Sequence, residues 1–222
     1  MQKLQLGELK YVIRYPQGFS ESEKYPVILF LHCAGSWGDN LDNVIANPFF
    51  RLTEQHKEFP FVCVAPLCSK NTWFDLWEHL EKLVVEVSNL PFADKSRIYL
   101  MGASMGGYGT WQLAMSMPEY FAAIVPICGG GMYWNICRIK DLPVWAFHGA
   151  KDTTVLVEES VKMVNALNDN GGCAKLTIYP ENGHDAWSDT YSNTDVFAWL
   201  LQHTIKAQKE YVDKYNNSNI YG

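Results

Sequence analysis

Hydrophobic residues along the chain fall into short continuous runs, and between these runs they recur three and four positions apart. Short apolar runs rich in Val, Ile, Leu and Phe are typical of strands buried on both faces of a sheet. The pattern predicts seven strands, over residues 9–14, 27–31, 61–65, 98–101, 124–127, 144–147 and 176–179. The first of them precedes a Pro-Gln-Gly turn and is expected at an edge of the sheet.

The segments between the strands have the apolar stripe of helices that pack on a sheet. Four such helices are predicted, over residues 76–90, 105–117, 155–168 and 194–206. Strands that alternate with helices predict an α/β fold with a mostly parallel sheet and helices on both faces. The chain has 222 residues and contains neither an internal repeat nor a linker, so we expect one domain over 1–210 and a polar tail over 211–222.

Composition excludes several classes of protein. Hydrophobic residues make up 48% of the chain, which is too many for a disordered protein, and no apolar run is long enough for a membrane span. The net charge of −6 comes without clustered cations, so nucleic acid is not an expected partner. The first ten residues do not resemble a secretory signal, and this predicts a cytoplasmic protein. The six cysteines lie far apart without a metal-binding spacing, and we interpret them as buried free thiols.

Gly102, Ser104 and Gly106 form a Gly-x-Ser-x-Gly motif between a predicted buried strand and a predicted helix. This is the context of a nucleophile elbow, a sharp turn that strains the serine backbone so that the hydroxyl projects into the site. The two glycines leave room for that turn. Ser104 is therefore the candidate nucleophile.

A serine nucleophile needs a histidine base and a carboxylate that orients the histidine. Asp152 follows the sixth predicted strand, and His184 follows the seventh. The carboxyl ends of parallel strands lie along one edge of a sheet, so both side chains are expected to converge on Ser104. Asp185 and Asp189 are competing acids, but they are close to His184 in sequence and poorly placed to reach its far nitrogen.

Acyl transfer also requires two backbone N–H groups that stabilise the oxyanion. One predicted donor is the N–H of Met105, directly after the nucleophile. The other is expected from the loop His32-Cys33-Ala34-Gly35, which follows the second predicted strand. We predict Ala34 as this donor, with Cys33 as the alternative.

Four motifs together resemble the α/β-hydrolase fold. They are Leu-His-Cys-Ala-Gly at 31–35, Gly-Ala-Ser-Met-Gly-Gly-Tyr-Gly-Thr-Trp at 102–111, His-Gly-x-x-Asp at 148–152 and Gly-His-Asp-Ala-Trp at 183–187. Over about residues 9–206 the chain resembles small carboxylesterases of the dienelactone-hydrolase and phospholipase/carboxylesterase type. The resemblance implies a serine esterase. Cys33 stands where these enzymes usually have glycine, and Ser104 stands where dienelactone hydrolases proper have cysteine, so the dienelactone reaction is not implied.

The connection over 128–142 has only fifteen residues, too few for a lid domain. We therefore expect an open site walled by loop aromatics, and the predicted pocket residues are Trp37, Trp73, Trp134 and Trp187. The expected substrate is a small-molecule carboxylic ester with a short or aromatic acyl group. No metal or organic cofactor is needed, because the triad and the oxyanion hole supply the nucleophile, the proton shuttle and the charge stabilisation. Two alternatives are an acyl-peptide or oligopeptide hydrolase of the same fold and a non-catalytic binding protein that retains it.

Overall fold

An eight-stranded, mostly parallel sheet forms the centre of the protein. The computed structural model describes residues 1–205. The strands are β1 (Gln2–Leu6), β2 (Leu9–Arg14), β3 (Tyr25–Leu31), β4 (Val62–Pro66), β5 (Ala93–Ala103), β6 (Ala123–Ile127), β7 (Val144–Gly149) and β8 (Ala174–Tyr179). Their order across the sheet is β1-β2-β4-β3-β5-β6-β7-β8. Only the pairs β1–β2 and β2–β4 are antiparallel within the described residues.

Helices cover both faces of this sheet. They are α1 (Asp42–Ile45), α2 (Pro48–Thr53), α3 (Trp77–Asn89), α4 (Met105–Ser116), α5 (Glu158–Asp169), α6 (Trp187–Ser192) and α7 (Thr194–Leu200). Buried side chains of α3, α4 and α5 belong to one hydrophobic cluster, and those of α1, α2, α6 and α7 belong to the other. The sheet therefore lies between two apolar layers.

The packing of β3 explains why the sequences of the central strands are continuous apolar runs. Val27, Leu29 and Leu31 belong to the cluster on the α3–α5 side, whereas Ile28 and Phe30 belong to the opposite cluster. Successive strand residues point to opposite faces, so a strand with both faces covered needs an apolar residue at every position. All seven residues of β3 are buried.

All seven predicted strands are present, but the predicted position of one is wrong. Leu9–Arg14 forms β2, which pairs on both sides with β1 and β4 and is not an edge strand. The true edge strand β1 did not appear in the pattern, because only Leu4 and Leu6 of its five residues are even partly buried. The helix expected over 194–206 ends earlier, at Leu200.

The connection between β6 and β7 contains a 3-10 helix, Tyr133–Ile139, which packs against α5 and forms no lid. No helix among residues 1–205 is long and apolar enough to cross a membrane. The predicted tail over 211–222 lies outside the described residues. All six cysteines are free thiols, but Cys33 is only partly buried, and Cys137 and Cys173 are exposed and not buried as predicted.

Candidate active site

The turn between β5 and α4 holds Ser104 in a strained backbone conformation. Its φ of 55° and ψ of −117° are rare for a residue with a side chain. A Cβ atom at Gly106 would overlap the carbonyl oxygen of Leu31, and a Cβ atom at Gly102 would lie 2.6 Å from Thr110 Oγ1. Larger residues at either position would push the turn away from β3 or from its own helix. The Gly-x-Ser-x-Gly motif is therefore required by packing around the serine.

Ser104, His184 and Asp152 come together at the carboxyl edge of the sheet. His184 Nε2 lies 2.8 Å from Ser104 Oγ, and His184 Nδ1 lies 2.7 Å from Asp152 Oδ2. The Asp152 side chain is fully buried, whereas 22% of the His184 side chain is exposed. The three side chains thus form a continuous hydrogen-bonded path from a buried carboxylate to a hydroxyl that substrate can reach.

The surroundings of Asp152 keep it ionised. Burial raises the pKa of this carboxyl group. Hydrogen bonds from His184 and from the N–H groups of Val155 and Thr154 together lower the pKa by more than burial raises it, so the net pKa lies below the usual value. The two N–H groups donate to Oδ1 at 3.0 and 2.9 Å, which leaves Oδ2 directed at His184. An ionised Asp152 can hold the imidazolium that forms when His184 takes a proton.

The two competing acids are engaged elsewhere. Asp185 accepts hydrogen bonds from the N–H and the hydroxyl of Ser188, both at 2.9 Å, in the first turn of α6. Asp189 accepts a hydrogen bond from Asn182 Nδ2 at 2.5 Å. Asp152 is therefore the carboxylate that His184 contacts.

Two backbone N–H groups are available for an oxyanion. Met105 begins α4 and Ala34 begins a 3-10 helix, so neither N–H has an acceptor within its own helix. The carbonyl of Cys33 accepts the Nδ1–H of His32 at 2.7 Å and the N–H of Ser36 at 3.1 Å. The N–H of Ala34 is on the opposite side of the same trans peptide and points away from these partners. The N–H of Ala34 stays the predicted second donor, with Cys33 as the alternative.

His32 is a neutral residue that shapes this loop. Its Nε2 accepts the N–H of Cys68 at 2.9 Å, so the ring hydrogen is on Nδ1 and is donated to Cys33. Burial lowers the pKa of His32 to about 4, although the hydrogen bond to Cys33 raises it in part. The loop that carries Ala34 therefore depends on an uncharged imidazole.

Trp73 is the predicted pocket residue that the structure places elsewhere. It is fully buried and donates its Nε1–H to the His32 carbonyl at 3.0 Å. Its indole also packs on the His32 ring, with 4.8 Å between centroids. Trp73 therefore packs against His32 and supports the loop that carries Ala34. It does not line the pocket, because no face of its ring is open to a substrate.

The other three predicted tryptophans lie in segments that follow the carboxyl ends of strands: Trp37 on a loop, Trp134 in the 3-10 helix after β6, and Trp187 at the start of α6. Trp37 follows β3 and Trp134 follows β6, and 50% and 69% of their surfaces are exposed. Trp187 contacts His184 edge to face, with 5.3 Å between ring centroids. Trp37 and Trp134 thus follow the two strands that flank the nucleophile strand, and Trp187 lies beside the triad histidine.

Cys128 was not among the predicted site residues. It follows the end of β6 with a positive φ of 40°, and its Sγ, a carboxylate oxygen of Asp152 and a ring nitrogen of His184 lie within 4.8 Å of one another. Such a group could hold a metal ion, but the carboxylate and both imidazole nitrogens are engaged in the triad hydrogen bonds, which a metal would have to break. Burial raises the pKa of the Cys128 thiol well above its usual value. Its position at a strand end is the only feature of the sequence that pointed to it.

A groove of about 1080 Å³ lies away from these residues. Tyr25, Phe61 and Phe197 are among its lining residues, and the first two lie at the amino ends of β3 and β4. Ser104 follows the carboxyl end of a parallel strand, on the opposite edge of the sheet. None of the predicted site residues lines this groove, so we do not assign it to the chemistry.

Comparisons with known proteins agree with this arrangement. Residues 62–212 match the model of the dienelactone hydrolase family. The chain belongs to the dienelactone hydrolase family. The predicted α/β-hydrolase fold and the predicted enzyme class, a carboxylic-ester hydrolase, are both confirmed.

Individual relatives include esterases and a peptidase. The chain is 23% identical to a probable feruloyl esterase C of Aspergillus niger over 84% of this chain and 71% of that protein. It is 24% identical to a probable dipeptidyl-peptidase 5 of Aspergillus clavatus over 86% of this chain, but only 33% of that protein is covered. The crystal structure of a thermostable esterase has a TM-score of 0.78 and 31% identity, and the match covers 91% of this chain and 62% of that one.

Proposed function

We propose that this dienelactone hydrolase family member hydrolyses small or aromatic carboxylic esters, with Ser104 as the nucleophile. The observation that carries the proposal is the hydrogen-bonded path from Asp152 through His184 to Ser104. A protein that only binds a ligand has no need for a base and an acid in this geometry.

In the first half of the reaction, Ser104 Oγ attacks the ester carbonyl carbon while its proton moves to His184 Nε2. The negative charge that develops on the carbonyl oxygen is stabilised by the N–H groups of Met105 and Ala34. The ester C–O bond then breaks, and the departing alkoxide takes the proton from His184. The products of this half-reaction are the free alcohol and an acyl group on Ser104.

The second half repeats these steps with water in place of serine. Water attacks the acyl carbon, its proton moves to His184 Nε2, and the same two N–H groups stabilise the oxyanion. Ser104 leaves the acyl carbon and recovers a proton from His184. The carboxylic acid is released and the triad returns to its starting state.

The loop aromatics support a planar acyl group as the preferred substrate. Trp134 and Trp37 present exposed rings near the nucleophile strand, and stacked aromatic pairs contribute about 0.5–1.5 kcal/mol beyond the area they bury. The similarity to a feruloyl esterase C supports the same choice. Since the site carries no lid domain, a long acyl chain finds little apolar cover. We therefore propose an ester with a hydroxycinnamoyl-like acyl group.

A substrate panel tests this proposal. We would measure kcat/KM for methyl ferulate, p-nitrophenyl butyrate, p-nitrophenyl palmitate and a dipeptide anilide. The expected order places methyl ferulate and the butyrate above both other substrates. Faster cleavage of the anilide than of either ester would support the peptidase alternative instead.

Two variants control this panel. Ser104→Ala should reduce every rate to background, whereas Ser116→Ala, at the far end of the same helix, should keep the wild-type rates. An unchanged rate in Ser104→Ala would refute the assignment of the nucleophile.

We also propose a reducing, cytoplasmic compartment. All six cysteines are free thiols, and Cys137 and Cys173 are exposed, as is tolerated where thiols stay reduced. Fractionation of the native host, with the protein detected by antibody, would test the compartment. Recovery from the culture medium would contradict it.

A further inference from the structure

Asp152 contacts a second histidine besides His184. His148 lies near the carboxyl end of β7, and its side chain is fully buried. Its Nε2 is 3.2 Å from Asp152 Oδ2, the same oxygen that lies 2.7 Å from His184 Nδ1. One carboxylate oxygen therefore lies close to two imidazole rings, and it is hydrogen-bonded to His184.

The partners of His148 decide which ring nitrogen carries hydrogen. Nε2 faces the Val155 carbonyl oxygen at 2.9 Å as well as Asp152 Oδ2, and both of these atoms only accept hydrogen bonds. Nε2 must therefore be protonated, and it donates its hydrogen to the Val155 carbonyl. The assignment is the same whether Ser160 gives its hydroxyl hydrogen to His148 Nδ1, at 2.7 Å, or to the Gly129 carbonyl, at 2.9 Å.

His148 is itself held on both sides. Its backbone belongs to β7, which is paired on both sides, and its Nδ1 lies 2.7 Å from Ser160 Oγ in the first turn of α5. Ser160 in turn reaches the Gly129 carbonyl, on the loop after β6 that packs directly against Gly107 of the nucleophile helix. A continuous chain of contacts thus links Asp152 to the element that carries Ser104.

We propose that His148 is a positioning residue for the reaction, which donates its Nε2–H to the Val155 carbonyl and so fixes the turn that holds Asp152 towards His184. The inference rests on the proposed function of the triad. The backbone N–H groups of Thr154 and Val155 donate to Asp152 Oδ1, so a turn that His148 holds in place keeps Oδ2 directed at His184 while that ring gains and loses a proton. A group that locks a catalytic side chain preserves its geometry through such a cycle.

Two amide variants separate the functions of the two ring nitrogens. In His148→Gln the amide nitrogen occupies the position of Nε2 and can still donate to the Val155 carbonyl. In His148→Asn the amide group reaches only the position of Nδ1, so it keeps the Ser160 contact and loses the donor to Val155. We expect His148→Asn to lower kcat for p-nitrophenyl butyrate about tenfold, a loss typical of removing an orienting partner, with KM unchanged. His148→Gln should restore most of the rate.

A double-mutant cycle shows whether the effect runs through Asp152. In an Asp152→Ala background, His148→Asn should cause no further loss of kcat, because the carboxylate that it positions is absent. A merely structural role predicts the same loss in both backgrounds, and that result would overturn the proposal. Equal rates for wild type, His148→Asn and His148→Gln would overturn it as well.

The hydrogen on Nε2 can also be observed without any active-site variant. In the wild-type protein labelled with ¹⁵N-histidine, His148 should show an Nε2–H that exchanges slowly with solvent, and His148→Gln identifies the signal by its loss. An unprotonated Nε2 would contradict the proposal even if His148→Asn failed to fold. The same assays separate an error in the triad assignment from an error in the His148 proposal. If the triad assignment is wrong, Ser104→Ala retains activity; if only the His148 proposal is wrong, Ser104→Ala is inactive.

Discussion

The buried imidazole of His32 should make the protein unstable in mildly acidic solution. The pKa of His32 is lowered from 6.5 to about 4 in the folded chain, because burial disfavours the charged ring. In the unfolded chain His32 regains its ordinary value, so between pH 6.5 and 4 the unfolded state binds a proton that the folded state does not. Because the folded-state pKa lies below the unfolded one, the stability that neutral His32 contributes is present above pH 6.5 and is lost as the pH falls towards 4.

The size of the effect follows from the same shift. A single group with these two pKa values lowers the free energy of unfolding by about 2 kcal/mol at pH 5 and about 3 kcal/mol at pH 4, relative to neutral pH. The structural cause is the burial of the ring, and protonation would also break the hydrogen bond that Nε2 accepts from the N–H of Cys68. A loss of this size is a large part of the stability of an ordinary domain.

Denaturant unfolding of wild type and His32→Gln at pH 7.5, 5 and 4 measures this effect. The glutamine oxygen can accept the Cys68 N–H but does not titrate, so the variant should be less stable at pH 7.5 and lose its disadvantage as the pH falls. The difference between the two unfolding free energies should shrink by about 2 kcal/mol at pH 5. A difference that stays constant across the three pH values would refute the reasoning.

Three further predictions concern the elbow, the triad acid and the pocket. Gly106→Ala should destabilise the protein by about 3 kcal/mol or prevent folding, because its Cβ would overlap the Leu31 carbonyl. In the same thermal-melting experiment the control Gly35→Ala should have a small effect, because the nearest atom to its Cβ would lie at 3.7 Å. Asp152→Asn should lower kcat on the order of 10³-fold or more without a matching change in KM, since the amide stabilises the wrong tautomer of the histidine; a loss below tenfold would exclude Asp152 from the triad. Trp134→Ala should raise KM for methyl ferulate about fivefold and leave KM for p-nitrophenyl acetate unchanged, whereas Trp134→Phe should have wild-type values for both. Equal effects of Trp134→Ala on both esters would argue against stacking.

The convergence of Ser104, Asp152 and His184 was predictable because it follows from topology. Each residue lies on the turn or loop that follows a strand, and parallel strands place their carboxyl ends on one edge. The glycines around Ser104 marked the turn. No knowledge of side-chain packing was needed for these placements.

The errors concern residues whose environment depends on tertiary packing. Trp73 precedes a helix in sequence, and nothing there distinguishes an indole that faces solvent from one that lies under His32. The contact of His148 with Asp152 depends on the path of the loop between them, which sequence spacing does not determine. β1 was missed because a largely exposed edge strand has almost no apolar face to detect.

Active-site labelling tests the central claim most directly. Wild-type protein would be incubated with a fluorophosphonate, digested and analysed by mass spectrometry, with residual esterase activity followed in parallel. We predict a single phosphonyl adduct on Ser104, activity lost in proportion to labelling, and no adduct in Ser104→Ala. An adduct on another residue that accounts for the lost activity, or full esterase activity in a chain fully labelled at Ser104, would contradict the assignment of Ser104 as the nucleophile.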